Sequence, residues 1–480
     1  MQTPTSGDDR PHGFYRLVIP LMIAELVAAL ELTMMYAAMR GLVADFGGAS
    51  RAGWLITAFI LSSAAGAALF GRLGDILGRR NVLLWVLALS TLGSLIGSIS
   101  KDLGWLIAGR TLQGLVGAIV PLCFGMIRER VSLSRVSFGI GMISSSVTIA
   151  SSSGLVIGGL IIDFSDWSMI FKVSMGLGII AFATVMIFID KDKPADSAGL
   201  TEDLLGGLLF IPAVVSLLLG INNAAKHGIL ETASLVWLGG AILFMAAWVW
   251  RELRVANPLL DVRMLARPEV IWPNILMIFI ALGAYQGGQL MALFGQQPLS
   301  TGVGLGLTAT SAGFLLFPGN ILAGLATPFA GAAINRYGPR RVASLGCLCI
   351  FLPFVILAFC NSNALVVIAL LIVQAVGLGI VYVTMPVVLV YATPEGRASE
   401  ATGMLQVIRS TAMAIGAQTV ATLLSAGSGH GGGAGLHNLP TPGAYQTAFL
   451  YVAGTTLIAM LVCQRFPGTL SNSTKDEAPT

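Results

Sequence analysis

The sequence is short of charge. Asp, Glu, Lys and Arg make up 10% of its residues, whereas soluble proteins carry about a quarter. The five cysteines all lie in apolar stretches and the four histidines fall in loops or tails, so neither a disulfide framework nor a zinc cluster is expected. No GxxxxGK segment, the loop that cradles nucleotide phosphates, is present. These shortages argue against an enzyme, and we expect no cofactor and no metal.

Long apolar runs are abundant instead. Hydrophobic residues make up 55% of the chain. A helix that crosses the hydrocarbon core of a bilayer needs about 20 apolar residues, and in lipid every backbone group must be paired internally. The runs therefore predict an all-α integral membrane protein. We place fourteen spans, at residues 16–39, 52–71, 81–100, 104–127, 137–162, 168–189, 204–223, 230–250, 270–294, 308–334, 342–360, 364–390, 401–424 and 444–463.

The basic residues are distributed unevenly over the predicted loops. With the N-terminus inside, 20 of the 27 Lys and Arg residues lie on the inner side, five lie on the outer side, and Arg110 and Arg409 lie within spans. Because Lys and Arg are enriched in cytoplasmic loops, both termini are predicted to be cytoplasmic. The basic residues are scattered among short loops, which argues against a nucleic-acid partner.

One turn between spans 2 and 3 concentrates charge, and it is echoed later in the chain. Residues 71–80 read GRLGDILGRR, and residues 331–341, after span 10, read GAAINRYGPRR. When Asn335 is aligned with Asp75, both turns have a glycine three residues later and a pair of arginines just before the next span. Spans 7 and 8 then form a hairpin inserted between two six-span halves, and repeated halves are known among transporters. The predicted divisions are a first half at 1–190, a linker with the hairpin at 191–265, a second half at 266–465 and a cytoplasmic tail at 466–480.

GRLGDILGRR resembles the signature turn of the major facilitator superfamily, and its echo fits the second half of that family. The fourteen spans are similar to the family's drug:proton antiporter branch, which has two inserted helices. Residues 31–47 resemble the first-helix motif of that branch, with Glu31 where an Asp is usual, and residues 106–121 resemble its fourth-helix arginine motif. Three glycines of span 5 fall at the spacing of the antiporter motif: Gly141, Gly154 and Gly158. The resemblance implies the major facilitator fold, with two six-helix halves plus the inserted hairpin.

Span 5 departs from the motif that it resembles. Leu155 stands where the antiporter motif usually has a proline, and Ala150 stands at the position of its second glycine. The remaining glycines imply a groove for helix packing, because small residues let helices approach closely.

The charged turn is predicted to be a conformational gate. Its glycines permit close backbone approach, and Asp75 is suited to a helix N-terminus, where the helix dipole favours an anion. The arginines are suited to pair with acids of a neighbouring helix, which would hold one state of the transporter closed to the cytoplasm. The alternative is a solvated loop that follows the positive-inside rule. The gate residues are Gly71, Asp75, Gly78, Arg79 and Arg80.

Few ionisable residues fall inside the predicted spans, and each is a functional candidate because a charge in the membrane is costly. At 1.5 Å per residue, Glu31 and Arg110 lie about 12 and 9 Å below the outer surface, so we expect them to meet. A carboxyl group beside an arginine stays ionised, whereas one left in a dry site takes up a proton. Arg110 also resembles the coupling arginine of the family. Glu31, Arg110 and Glu25 are therefore predicted to couple transport to protons; for the acids, a protonated carboxyl bonded to a neighbouring helix is the alternative.

The second half supplies the predicted substrate pocket. A large cavity with aromatic walls and few fixed polar groups suits amphipathic molecules, and two pocket carboxylates favour cations. For Arg409, a hydrogen bond to carbonyls of another helix is the alternative role. The predicted pocket residues are Tyr285, Gln286, Gln289, Phe317, Asn320, Gln374, Tyr382, Gln406 and Arg409.

These patterns predict a proton-coupled antiporter of the bacterial cytoplasmic (inner) membrane. It would exchange incoming protons for amphipathic, cationic, drug-like compounds by alternating access. The expected partners are this small-molecule substrate, protons and the lipid bilayer, and a monomer is the expected state. Three alternatives stay open: a dedicated exporter of one metabolite or self-made toxin, a proton-coupled importer, and a non-transporting membrane sensor.

Overall fold

The computed structural model describes residues 11–46, 49–191, 204–255, 262–299, 303–307, 309–360, 363–394, 396–426 and 440–466. The predicted tail beyond residue 466 and the first ten residues lie outside this part of the chain. The described residues form helices joined by short turns. The helices are α1 (Pro11–Asp45), α2 (Ala49–Leu77), α3 (Arg79–Ile99), α4 (Leu103–Gly114), α5 (Ile119–Arg130), α6 (Leu133–Phe164), α7 (Ser168–Phe188), α8 (Leu204–His227), α9 (Thr232–Glu252), α10 (Val262–Leu265), α11 (Pro268–Leu282), α12 (Gly287–Gln296), α13 (Ala309–Tyr337), α14 (Pro339–Phe359), α15 (Ala364–Ala392), α16 (Ala398–Ala426) and α17 (Pro442–Val462).

Thirteen of the described helical segments are long and apolar enough to cross a membrane. Two of them are pairs joined by a 3₁₀ turn, α4 with α5 and α11 with α12. The apolar part of α8, Leu209–Ala224, is shorter and occupies the place of the seventh expected span. The prediction of an all-α membrane protein is confirmed, and the count agrees closely with the fourteen spans expected. The division of the chain at residues 190, 265 and 465 stays a prediction.

The two turns recognised in the sequence have the same backbone form. Gly78 separates α2 from α3 with a φ of 95°, and Gly338 separates α13 from α14 with a φ of 83°. Only glycine adopts this region readily, because a side chain would clash with the backbone. Both turns lie at one end of the helix bundle, which we call the turn end; the opposite end is the far end.

The halves of the chain share a core at the turn end. Apolar side chains of α1 and α5, such as Val18 and Phe124, pack in one cluster with side chains of α13 and α15, such as Ile334 and Val387. Toward the far end, another cluster draws its buried residues from α1 to α7 alone. The helices α11 to α17 have a core of their own. The described residues therefore join the halves at the turn end.

The hairpin of α8 and α9 packs beside the junction of the halves. Phe210 of α8 contacts Trp248 of α9, with ring centroids 5.1 Å apart. Both rings belong to a cluster with Ala68 of α2 and Met404 of α16. Apolar packing thus attaches the inserted hairpin to one helix of each half.

Candidate functional site

Glu31 lies in a buried polar cluster between α1 and α3. Its side chain is 1% exposed. The hydroxyl of Ser90 donates to the carboxylate, with Oγ 2.9 Å from Oε1, and Ser94 Oγ lies 3.4 Å from the same oxygen. Both serines project from α3, one helical turn apart. The cluster gives the carboxyl group hydrogen-bond partners inside an otherwise apolar bundle.

Arg110 reaches the same cluster from α4. Its Nη1 donates to the main-chain carbonyl of Glu31 at 3.2 Å, and its Nε donates to the carbonyl of Leu55 at 3.1 Å. Its guanidinium lies 4.3 Å from the ring centroid of Phe59. The expected meeting of Arg110 with Glu31 therefore occurs, although the hydrogen bond is to the backbone and not to the carboxylate. The arginine is 1% exposed, so its charge is held inside the protein.

Gln113 connects the arginine to the carboxylate. Its Oε1 accepts from Arg110 Nη1 at 2.9 Å, and its Nε2 donates to Ser94 Oγ at 2.7 Å. Ser94 in turn contacts Glu31, so a relay of two side chains links the two charges. Sequence reasoning missed Ser90, Ser94 and Gln113. The one available signal was the spacing of Gln113, three residues after Arg110 on the same helix face.

A second buried acid lies near an arginine, between α1 and α16. Glu25 of α1 is 4% exposed, and its Oε2 has no hydrogen-bond partner among the described residues. Arg409 of α16 is close enough to interact electrostatically with this carboxyl group. The arginine is flanked by two aromatic rings, with centroids 5.8 Å away for Tyr285 and 5.1 Å away for Tyr382. An acid from the first half thus faces a cation in an aromatic setting from the second half.

The other predicted pocket residues are dispersed around this pair. Gln286 is buried and donates to the carbonyls of Ala281 and Met413, and Gln374 is buried on α15. Gln289 is exposed. Phe317, Asn320 and Gln406 are half-buried, as are Tyr285 and Arg409. The structure thus brings Tyr285, Tyr382 and Arg409 together and leaves the substrate contacts of the rest as predictions.

The charged turn makes an ionic cluster that joins the halves. Asp75 Oδ1 lies 2.7 Å from Arg79 Nη2, and Asp75 Oδ2 accepts the backbone N–H of Glu400 at 3.0 Å. Arg79 also pairs with Glu129 at 2.6 Å and donates to Ser399 Oγ at 2.9 Å. The carboxylate of Asp75 therefore lies at the N-terminus of α16, where the helix dipole favours an anion.

The cluster extends around Glu400 and Arg80. The buried carboxylate of Glu400 lies 3.6 Å from Arg72 Nη1 and 3.8 Å from Arg397 Nη1. Arg80 donates to the carbonyls of Ile189 and Met186 at the end of α7, at 2.7 and 2.9 Å. Sequence reasoning missed Glu400, because hydropathy began span 13 one residue later.

Glycines bring the helices into backbone contact around these clusters. A Cβ on Gly71 would lie 2.7 Å from the carbonyl oxygen of Ser399 on α16. On α6, Gly141 meets the backbone of α13, whereas Gly154 and Gly158 meet Thr33 and Met34 of α1. The motif glycines of α6 therefore serve two interfaces, one between the halves and one within the first half.

Comparisons with known proteins agree with this architecture. A sequence profile of the Major Facilitator Superfamily matches residues 21–417 and, separately, residues 291–473. The solved structure of the human organic anion transporter TETRAN superposes with a TM-score of 0.65 at 16% identity, covering 94% of this chain and 99% of that one. This likeness shows the fold.

Two curated relatives are similar in sequence. The multidrug resistance protein B homolog of Mycobacterium tuberculosis is 26% identical over 342 residues, which cover 70% of this chain and 62% of the relative. The tetracenomycin C resistance and export protein of Streptomyces glaucescens is 25% identical over 349 residues, which cover 72% of this chain and 63% of the relative. The chain thus spans 62–63% of the length of these relatives.

Proposed function

Because the chain belongs to the Major Facilitator Superfamily, we propose that it is a proton-coupled efflux transporter of the cytoplasmic membrane, with both termini in the cytoplasm. In this proposal it exchanges incoming protons for amphipathic, cationic compounds that leave the cell. The names of two relatives, a multidrug resistance protein B homolog and a tetracenomycin C resistance and export protein, support export of small molecules. Membership of the family indicates a transporter, but it does not establish the direction of transport or the ion that drives it.

The buried cluster of Glu31 carries the proposal. A carboxyl group that is 1% exposed in a membrane bundle is costly to ionise unless it is hydrogen-bonded and near a cation. Ser90 and Ser94 supply the hydrogen bonds, and Arg110 supplies the charge. Removal of any of these partners favours proton uptake by the carboxyl group. Glu31 is thus suited to load and release a proton as the helices move.

Arg110 is suited to follow the protonation of Glu31. It holds the backbone of Glu31, so it stays beside the residue whether or not the carboxyl group is charged. The relay through Gln113 and Ser94 transmits a change in hydrogen bonding at the carboxylate to the guanidinium. Because Arg110 also bonds Leu55 of α2, such a change reaches the helix that carries the gate.

Glu25 and Arg409 are suited to bind the substrate. A cationic substrate would neutralise Glu25 in place of Arg409, and the rings of Tyr285 and Tyr382 would stack on its apolar or cationic parts. In the absence of substrate, Arg409 keeps the buried acid from being an uncompensated charge. The acid and the arginine lie on opposite halves, so binding would be sensitive to their relative movement.

Transport in proteoliposomes tests the two roles separately. A fluorescent lipophilic cation is the substrate, and both gradient-driven movement and counterflow without a gradient are measured. Glu31→Gln should lose the response to an imposed proton gradient and keep counterflow. Glu25→Gln should weaken cation binding about tenfold, the loss of roughly 1.4 kcal/mol. Glu269→Gln, at an exposed acid of α11, removes the same charge and should change neither. A Glu31→Gln variant with a full gradient response would refute the coupling role.

Dedicated export of one compound is the second candidate, and the antibiotic-specific name of one relative favours it. The same proteoliposomes separate the two, because a broad transporter moves several unrelated lipophilic cations at comparable rates. Movement of none of them, with a proton gradient present and the protein folded, favours the dedicated exporter. Accumulation in intact cells, instead of depletion, would favour the importer.

A further inference from the structure

A cavity with basic walls lies at the turn end of the first half, away from both buried acid sites. Its volume is about 190 Å³, more than ten times the roughly 10–15 Å³ that a cavity needs to hold one water, so it admits a polyatomic group. Among the described residues, its lining comes from α1, α5, α6, α7 and the segments that follow α5 and α7. Three of the lining side chains are arginines and one is an acid: Arg16, Arg130, Arg135 and Asp190.

The cavity suits an anion. With all four groups charged, its lining carries a net charge of two positive units. Ser132, the residue before α6, also lines it and makes no capping hydrogen bond with its side chain. The positive end of the dipole of a 32-residue helix therefore faces this region, which favours bound anions.

Its position matches the membrane boundary. The candidate spans Gly13–Met39 and Leu133–Phe164 begin at the cavity, and Leu103–Arg130 and Ser168–Phe188 end there. Arg16 and Asp190 form an ion pair at the mouth, with Nη2 3.8 Å from Oδ1, and the mouth is open because their side chains are 59% and 87% exposed. A ligand here would meet water on one side and the acyl region on the other.

One wall continues onto an apolar surface. Phe14 and Leu17 of α1 line the cavity together with Phe188 of α7. Phe188 is 47% exposed, and Ile187 beside it is 64% exposed, so this face of α7 is open to lipid. A small inorganic anion has no apolar surface to bury against this wall, whereas a lipid acyl chain would pack against it.

Hydrogen bonds fix the residues that follow α7 and form part of one wall, Ile189 and Asp190. Arg80 donates to the carbonyl of Ile189, and Arg130 Nη1 donates to the carbonyl of Asp190 at 2.9 Å. The cavity is therefore built before a ligand arrives, and it shares the end of α7 with the charged turn.

We propose that this cavity binds the phosphate group of an anionic glycerophospholipid, with Arg16 and Arg135 contacting the phosphate and the acyl chain lying along α7. The site is independent of proton coupling and of the transported substrate. Basic pockets between membrane helices are suited to acidic lipid head groups, and each Arg near the surface contributes about 1 kcal/mol.

Lipid titration of the purified, delipidated full chain tests the site. The probes are phosphatidylglycerol, phosphatidylcholine and inorganic phosphate, and the readouts are the thermal unfolding midpoint and bound lipid by native mass spectrometry. Phosphatidylglycerol should stabilise the wild type at concentrations where the other two do not. Arg16→Gln with Arg135→Gln should weaken this binding about thirtyfold, or about fivefold per arginine. Arg254→Gln with Arg336→Gln removes two exposed arginines outside the cavity and should have less than a twofold effect.

A variant that is expected to tighten lipid binding keeps the test decisive if the double arginine variant folds poorly. Asp190→Asn removes the one acid among the described lining residues and should tighten phosphatidylglycerol binding about fivefold. Equal loss in the cavity and control double variants would overturn the site. Equal stabilisation by inorganic phosphate would overturn the lipid assignment, and equal binding of phosphatidylcholine would overturn the preference for an anionic lipid.

Discussion

The two interfaces that join the halves at the turn end are alike in shape. Between α2 and α16, a Cβ on Gly403 would lie 2.4 Å from the carbonyl oxygen of Ala67. Between α6 and α13, a Cβ on Gly331 would lie 2.2 Å from the carbonyl oxygen of Ser137. In both, glycine lets one backbone press directly on the other, which a side chain would prevent.

The same interfaces differ in charge. Asp75 of α2 and Arg79 of α3 form a buried ion pair that hydrogen-bonds Glu400 and Ser399 of α16. The aligned Asn335 instead makes neutral hydrogen bonds between α13 and α6. Asn335 Oδ1 accepts from Ser137 Oγ at 2.7 Å, and its Nδ2 donates to the carbonyl of Ser134 at 2.9 Å. Close backbone packing at glycine is therefore common to both interfaces, whereas only the α2–α16 interface of the two contains a buried ion pair. We expect the α2–α16 interface to control opening of the turn end, and we expect the α6–α13 interface to have a smaller effect on it.

Removal of the polar residue from each turn should give the largest contrast. Asp75→Ala leaves Arg79 with less compensation in a buried site and should destabilise the closed turn end by about 3–5 kcal/mol. Asn335→Ala removes neutral hydrogen bonds and should cost about 1–2 kcal/mol. The closed fraction is measured from the distance between spin labels on the turn ends of α2 and α16, in a background without native cysteines. Equal opening in both variants would contradict the expected difference between the α2–α16 and α6–α13 interfaces.

Alanine at the contact glycines should affect the two interfaces alike. Gly403→Ala and Gly331→Ala each force a methyl group against a backbone carbonyl and should cost about 1–3 kcal/mol, the usual range for overpacking. Thermal unfolding in detergent measures the loss. Gly454→Ala is the control, because a Cβ there would meet nothing within 4 Å. If one interface tolerates its alanine, the shape of the two repeats differs more than the backbone contacts indicate.

The aligned arginines Arg80 and Arg340 should give the smallest contrast. Arg80 is 8% exposed and donates to two carbonyls at the end of α7, whereas the aligned Arg340 is exposed and donates to Gln464 at the end of the described chain. Arg80→Gln should lower stability by about 1–2 kcal/mol, and Arg340→Gln by about 0.5 kcal/mol, because a buried charged donor is the more costly one to lose. The unfolding midpoints of the two variants measure this difference, and the reverse order would contradict it.

The sequence was sufficient to predict the repeated turn and the depth of Glu31 in the membrane. The turn glycines at 78 and 338 were identifiable because glycine, a polar residue and arginines recur at one spacing, and backbone geometry agrees. Glu31 and Arg110 were identifiable because helix rise alone puts them at one depth.

Other parts of the site were out of reach of the sequence. No sequence pattern singles out Ser90 and Ser94, because the rotation of α3 that turns them toward Glu31 is set by its neighbours. The role of Glu400 depends on which helix start lies against Asp75, a contact between residues 325 positions apart. Hydropathy predicts neither the rotation of a helix about its axis nor which helices pack together. These contacts therefore became identifiable only in the folded structure.

Proton release by the purified protein tests the coupling role of Glu31 most directly. A saturating lipophilic cation is added to the detergent-solubilised chain in a weakly buffered solution with a pH indicator, and substrate occupancy is measured in parallel. The wild type should release protons as the cation binds, and Glu31→Gln at equal occupancy should release far fewer. Equal release from both would contradict the assignment of Glu31 as the proton carrier.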